Sequence, residues 1–153
     1  MKKLLFIIGF LFISVLTFSQ GFGPENSKSM KPIVQNMWDN VINTVETQNG
    51  YEIVRLEFDI IKTDSKDSYR ILSNLYTYRV GVIGDPDKED YMKVEVYKRL
   101  DDGTYIYVTS KFDAVSAFVD FTPTSTGYYK FVISATFKPG YAGCHYGLVI
   151  LHQ

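Results

Sequence analysis

Cysteine and histidine are nearly absent from this 153-residue chain, which holds one Cys, Cys144, and two His, His145 and His152. A lone cysteine makes no internal disulfide, so the fold must rest on its core. A zinc site needs three or four nitrogen, sulfur or oxygen ligands at set spacings, and neither HExxH nor CxxC occurs. The G-x-S-x-G elbow of serine hydrolases, the P-loop and the dinucleotide-binding glycine pattern are missing as well. Charge of one sign is also scarce. There are 16 Lys and Arg against 17 Asp and Glu, a formal net charge of −1. Without a basic run or patch, nucleic acid and anionic membrane are poor candidates for partners.

A membrane-spanning run is lacking too. Leu4 to Leu16 is almost purely apolar, but it is shorter than the ~20 residues a spanning helix needs. Lys2 and Lys3 precede it, and Thr17-Phe18-Ser19 follows with small residues at −3 and −1. This is the pattern of a Sec-type signal peptide over residues 1–19, cleaved near Ser19–Gln20. No Cys lies nearby, which excludes lipoprotein processing. The expected product is secreted or periplasmic and free of the membrane. Loss of Lys2 and Lys3 takes its net charge to −3. About 130 residues remain, the size of one domain.

Aromatic residues are plentiful, with 12 Tyr and 11 Phe. Aromatic and β-branched side chains suit pleated, half-buried surfaces. Residues 20–30 read as a flexible linker. Over 31–47, Ile33/Val34, Met37/Trp38, Val41/Ile42 and Val45 recur at helical spacing. Ser29 as cap, Pro32 in the first turn and Asn49-Gly50 as stop predict one amphipathic helix there. From Tyr51 the period becomes two. In EIVRLEFDII, Val54, Leu56, Phe58 and Ile60 share one face, and Ile53, Arg55, Glu57, Asp59 and Ile61 share the other. Met92, Val94 and Val96 are expected inward on a later strand. Asp101-Asp102-Gly103 predicts a hairpin turn. About eight short strands follow one another with turns between and no helical pattern, which predicts an all-β antiparallel sandwich over 31–153 with one N-terminal helix.

Thr126-Gly127-Tyr128-Tyr129 has the spacing of a turn glycine before a strand whose tyrosine folds back onto the turn. Tyr129 is therefore expected to be a structural anchor. In a regular strand, Cys144 and His145 point to opposite faces. A Cys–His dyad needs mutual hydrogen-bond reach, so Cys144 is expected in the core, as free cysteines usually are.

One cluster has metal-binding chemistry. Asp85, Asp87, Glu89 and Asp90 crowd carboxylates onto DPDKED, and hard oxygen donors at alternate loop positions suit calcium. Asp64 and Asp67 would join if the sandwich brought their turn to the same end. The loop lacks the EF-hand Gly at its sixth place and Glu at its twelfth, and the same residues also read as a solvated acidic turn.

Several of these segments together resemble a known module. Tyr78-Arg79-Val80-Gly81-Val82, Asp85-Pro86-Asp87 followed by Met92–Tyr97, Asp120-Phe121-Thr122-Pro123 with Thr126-Gly127-Tyr128-Tyr129, and Tyr146-Gly147-Leu148-Val149-Ile150 come in the order of the bacterial pre-peptidase C-terminal domain. The resemblance spans about residues 68–151. It implies a jelly-roll sandwich and an accessory role, with calcium or matrix binding in some members. The function expected is a secreted or periplasmic, non-catalytic binding or accessory protein with a protein or glycan ligand. The alternatives are a small extracytoplasmic inhibitor or immunity-type protein acting on a protein partner, and a carboxylate-based hydrolase.

Overall fold

The computed structural model describes residues 24–37, 39, 41, 50–62 and 65–153. The expected signal peptide over 1–19 and the expected helix end over 42–47 lie outside these residues. Helix α1 spans Pro24–Met37. It therefore begins at Pro24 rather than about residue 31, and takes in most of the expected linker. Pro24 sits at the first helical position, where its missing N–H costs nothing. Ser29 and Pro32 lie inside the helix instead of starting it.

Eight strands follow: β1 Glu52–Ile61, β2 Lys66–Leu72, β3 Tyr78–Ile83, β4 Glu89–Arg99, β5 Tyr105–Asp113, β6 Ser116–Phe121, β7 Gly127–Phe137 and β8 Cys144–His152. They form two antiparallel four-stranded sheets, ordered β1-β8-β3-β6 and β2-β7-β4-β5. This is the eight-stranded, two-sheet arrangement of a jelly roll. Between the sheets lie Val80, Val82, Met92, Val94, Val96, Tyr129, Phe131, Ile133, Leu148 and Ile150, with Cys144 among them. The alternation read from Met92, Val94 and Val96 holds, since all three are fully buried. The Tyr129 hydroxyl donates to the Ser125 carbonyl at 3.0 Å, the anchor its spacing predicts. Gly103 takes a φ of +86° in its hairpin turn, and Asp102 Oδ1 accepts from the Thr104 backbone N–H at 2.9 Å.

The helix packs on the outer face of the first sheet. Ile33 and Met37 join Tyr51, Ile83, Val149 and Leu151 in a second apolar cluster. Gly147 makes the approach possible, because a Cβ there would lie 2.4 Å from Met37 Cε.

Strand β1 departs from its expected faces. The register shifts between Ile53 and Arg55, a bulge that inserts Val54. Beyond it, Arg55, Glu57, Asp59 and Ile61 pair with Ile150, Leu148, Tyr146 and Cys144, the row that faces the core. Leu56, Phe58 and Ile60 point outward and are 38, 39 and 39% exposed. Charges turned inward along an edge strand guard it against pairing with other chains. Glu57 forms an ion pair with Arg55 and accepts from Ser68 Oγ on β2 at 2.8 Å. Asp59 lies 3.3 Å from Lys66. Burial first, then Asp59 and Glu57, pushes the Tyr146 phenol up to about 12.

Candidate functional site

The acidic turn between β3 and β4 is held by its own hydrogen bonds. The Asp85 carbonyl accepts from the backbone N–H of Lys88 at 3.0 Å and of Glu89 at 3.1 Å. Its carboxylate accepts from the Asp87 N–H at 3.0 Å and lies 3.2 Å from the Lys88 ammonium. Asp85 is 3% exposed, so this carboxylate is a turn staple already neutralised by a lysine. Glu89 turns inward and is 1% exposed. Its Oε2 accepts from Cys144 Sγ at 2.8 Å, while Oε1 has no partner. Asp87 and Asp90 face solvent. The four expected calcium ligands are thus not brought together as one set. Among the described residues no group of three or more His, Cys, Asp or Glu is placed to hold a metal ion. Asp64 lies outside the described residues. Asp67 sits on the outer face of β2, accepting from the Tyr69 hydroxyl at 3.0 Å.

Cys144 and His145 do part to opposite faces, with Cys144 in the inter-sheet core. Burial above all, then the Glu89 carboxyl beside it, pushes the thiol far above its ordinary range. A nucleophile needs the thiolate, so this thiol is inert at neutral pH. Burial, then Lys88, lowers the His145 pKa. His152 lies at the far end of β8, its ring 4.4 Å from that of Tyr76. Burial first, and Asp85 nearby, pushes the Glu89 carboxyl up to about 7. That acidity would suit a general acid, but a side chain enclosed this fully has no route to a substrate.

The residues that sequence reading missed as a group lie on the outer face of the second sheet. In β2, buried Ser68 and Leu72 face the core, so Asp67, Tyr69 and Ile71 face outward. In β7, buried Tyr129, Phe131 and Ile133 leave Tyr128, Lys130 and Val132 outward. Register then aligns the faces. Tyr69 lies beside Lys130, Lys130 beside Tyr97, and Tyr97 beside Tyr107. This row crosses all four strands, about 14 Å at ordinary strand spacing. The next row brings Ile71 beside Tyr128 and Arg99 beside Tyr105. The Lys130 ammonium lies 4.8 Å from the centre of the Tyr105 ring and 5.3 Å from that of Tyr97. Further along, Tyr91 and Phe112 stack at 4.7 Å. Tyr69, Tyr107, Phe112 and Tyr128 are each more than half exposed.

Polar groups fence these rings. The Tyr107 hydroxyl lies 2.9 Å from Ser110 Oγ, and that of Tyr97 3.4 Å from Glu95. Lys130 is 3.7 Å from Asp67. Two clefts adjoin Tyr128. One, of 360 Å³, is lined by Val54, Tyr69, Arg70, Ile71 and Tyr128. The other, of 420 Å³, includes Lys98, Arg99, Asp101, Ser125 and Thr126. The available signal was aromatic residues on the wet phase of each alternating strand, as in Tyr105-Ile106-Tyr107. Large exposed aromatic patches mark interaction surfaces.

No family model matches the chain, and no curated protein matches it in sequence. Solved structures do resemble it. CorA, a surface-associated copper-binding protein important in Methylomicrobium album BG8 copper acquisition, is 8% identical over 62% of this chain and 91% of its own, with a TM-score of 0.51. PliG, a periplasmic inhibitor of g-type lysozyme from Aeromonas hydrophila, is 9% identical over 65% of this chain and 85% of its own, TM-score 0.48. The pre-peptidase C-terminal domain of a Bacillus anthracis collagenase is 9% identical over 61% and 87%, TM-score 0.43. The module resembled by the sequence is therefore met again among solved structures. At such identities the likeness is one of fold: this chain is an antiparallel β-sandwich.

Proposed function

We propose that this chain is an exported, non-catalytic binding protein that holds a glycan chain across the outer face of β2, β7, β4 and β5. The observation that carries this reading is the row Tyr69, Lys130, Tyr97, Tyr107. Sugar rings have apolar C–H faces that lie against aromatic rings, and hydroxyls that need nearby donors and acceptors. The row offers rings, and Asp67, Glu95, Ser110 and Lys130 supply the polar fence. The apolar leader at residues 4–16 supports export. Among the described residues no helix is long and apolar enough to cross a membrane.

Native gels cast with soluble polysaccharides test the reading. Mobility should fall in at least one glycan, and Tyr97→Ala with Tyr107→Ala should restore it. A protein partner is the second reading, since exposed Tyr and Arg are also the anchors of protein interfaces. It predicts unchanged mobility in every glycan, and a stable complex with an exported protein that the same pair of substitutions disrupts.

A further inference from the structure

We infer that Arg70 makes one end of this face an anion site, so that the glycan carries an acidic sugar, a uronate carboxylate or a sulfate ester. This rests on the glycan reading above and names the ligand class within it. Arg70 lies on β2 between the buried Ser68 and Leu72, so its side chain enters the gap at the sandwich edge. Its guanidinium is always charged and carries five donors. Yet Nε is shielded from solvent without a hydrogen-bond partner among the described residues. The carboxylates of β1 along this edge are matched. Glu57 is taken by Arg55 and Ser68, and Asp59 by Lys66. Among the described residues Arg70 Nε is left without an acceptor. An enclosed, unmet donor on a charged group calls for an acceptor.

The space for that acceptor adjoins it. Arg70 lines the 360 Å³ cleft, whose other walls are Val54, Tyr69, Ile71 and Tyr128. One cation among apolar and aromatic walls fits a ring with one anionic substituent. The ring lies against Tyr69 and Tyr128, and the anion meets the planar guanidinium in paired hydrogen bonds. Tyr69 belongs to the row across the sheet, so the cleft continues the platform. Across Tyr128, Arg99 lines the second cleft with Lys98 and Asp101. Lys98 is held by Ser125, leaving Arg99 as a second contact for a following acidic sugar. Bulk charge does not explain such binding, since the chain is net −1 and does not draw polyanions as a whole.

Matched polymers separate the outcomes. Polygalacturonate is compared with its methyl ester, and dextran sulfate with dextran, by affinity electrophoresis at physiological salt. The folded chain should bind at least one acidic polymer about tenfold or more tightly than its neutral counterpart, the scale of one charged hydrogen-bond pair. Carboxylate and sulfate sources are told apart by which pair shows the preference. Arg70→Gln should reduce acidic binding to the neutral level, and Arg70→Lys should recover only part of it. The melting temperature of Arg70→Gln should stay level or rise, since no native partner is lost. Equal binding of acidic and neutral polymers, a preference that survives Arg70→Gln, or a clear fall in melting temperature overturns the anion site and leaves the platform standing. Absence of binding to all four polymers overturns the anion site, and the gels with neutral polysaccharides described above decide the platform.

Discussion

Glu89→Gln should remove a pH dependence of stability centred on the β3–β4 turn. The folded chain encloses this carboxyl at 1% exposure and raises its pKa from 4.5 to about 7. Desolvation is the main cause, and Asp85 adds to it. The hydrogen bonds from Cys144 and the Asp85 backbone pull the other way. Because the folded state binds the proton more tightly than the unfolded state, the contribution is whole below pH 4.5. It is lost as pH rises towards 7, with the loss complete above that. At 1.36 kcal/mol per pKa unit, the span amounts to about 3 kcal/mol. His145 runs the opposite way: its pKa is lowered by burial and Lys88, so it favours folding as pH rises. The wild-type curve therefore mixes the two, and the difference between wild type and Glu89→Gln isolates Glu89. Urea melts between pH 4.5 and 8 measure it. The amide can cost about 1–3 kcal/mol at every pH through its own unmet N–H groups, so the slope is diagnostic and the offset is not. Parallel curves for the two proteins would refute a buried, protonated Glu89.

Cys144→Ala should cost about 1 kcal/mol at pH 5 from the lost packing, and more at pH 8, where Glu89 would be left ionised without its thiol donor; equal losses in urea melts at the two pH values would count against the Cys144–Glu89 bond. Gly147→Ala should cost about 1–3 kcal/mol, since its methyl must displace Met37 from the helix seat; an unchanged melting temperature would mean that the helix does not depend on this approach. Millimolar calcium should leave the melting temperature unchanged, because Asp85 is already neutralised by Lys88 and Glu89 is turned inward; a rise reversed by chelator and abolished by Asp85→Asn with Asp87→Asn would restore the acidic turn as a calcium site.

The sandwich was legible because period-two alternation survives in almost every strand, and because turn residues such as Asp102-Gly103 punctuate it. The helix start was misjudged because Pro32 in a helical stretch reads as a beginning, whereas here it lies mid-helix. Pro24, followed by Glu25, carries the same signal and marks the true start. One bulge residue breaks the grouping of β1, setting Val54 against the core while Leu56, Phe58 and Ile60 face outward. Nothing in IVRLEFDII says which phase is buried, since each phase carries apolar residues. The site was legible only in pieces. Wet-face tyrosines can be picked out strand by strand, but their row depends on register between β2 and β7, some 60 residues apart in sequence. Glu89 and Cys144 are separated by 55 positions, and no local pattern joins them.

The two outer faces of the sandwich differ in a way that bears on what the open one is for. Under the helix, the first sheet presents Ile83, Val149 and Leu151 to Ile33 and Met37. That aliphatic composition suits a contact made once on folding and never reopened. The outer face of the second sheet carries tyrosines instead, with hydroxyls turned to Asp67, Glu95 and Ser110 and a lysine seated between two rings. Tyrosine supplies large contact area at low cost in conformational entropy and keeps a polar end for water. Such a face stays soluble when empty and still gains from stacking when filled. Permanent burial would desolvate Lys130, Asp67 and Glu95, whose partners on the sheet are Tyr69, Tyr97, Lys93 and one another, an arrangement that rarely repays its cost. A ligand that brings its own hydroxyls and comes and goes avoids that penalty. The same reasoning separates Arg70 from its neighbours: Asp67 and Glu95 answer to groups already on the sheet, whereas Arg70 Nε has no hydrogen-bond partner among the described residues, the opening that the proposed acidic ligand would fill.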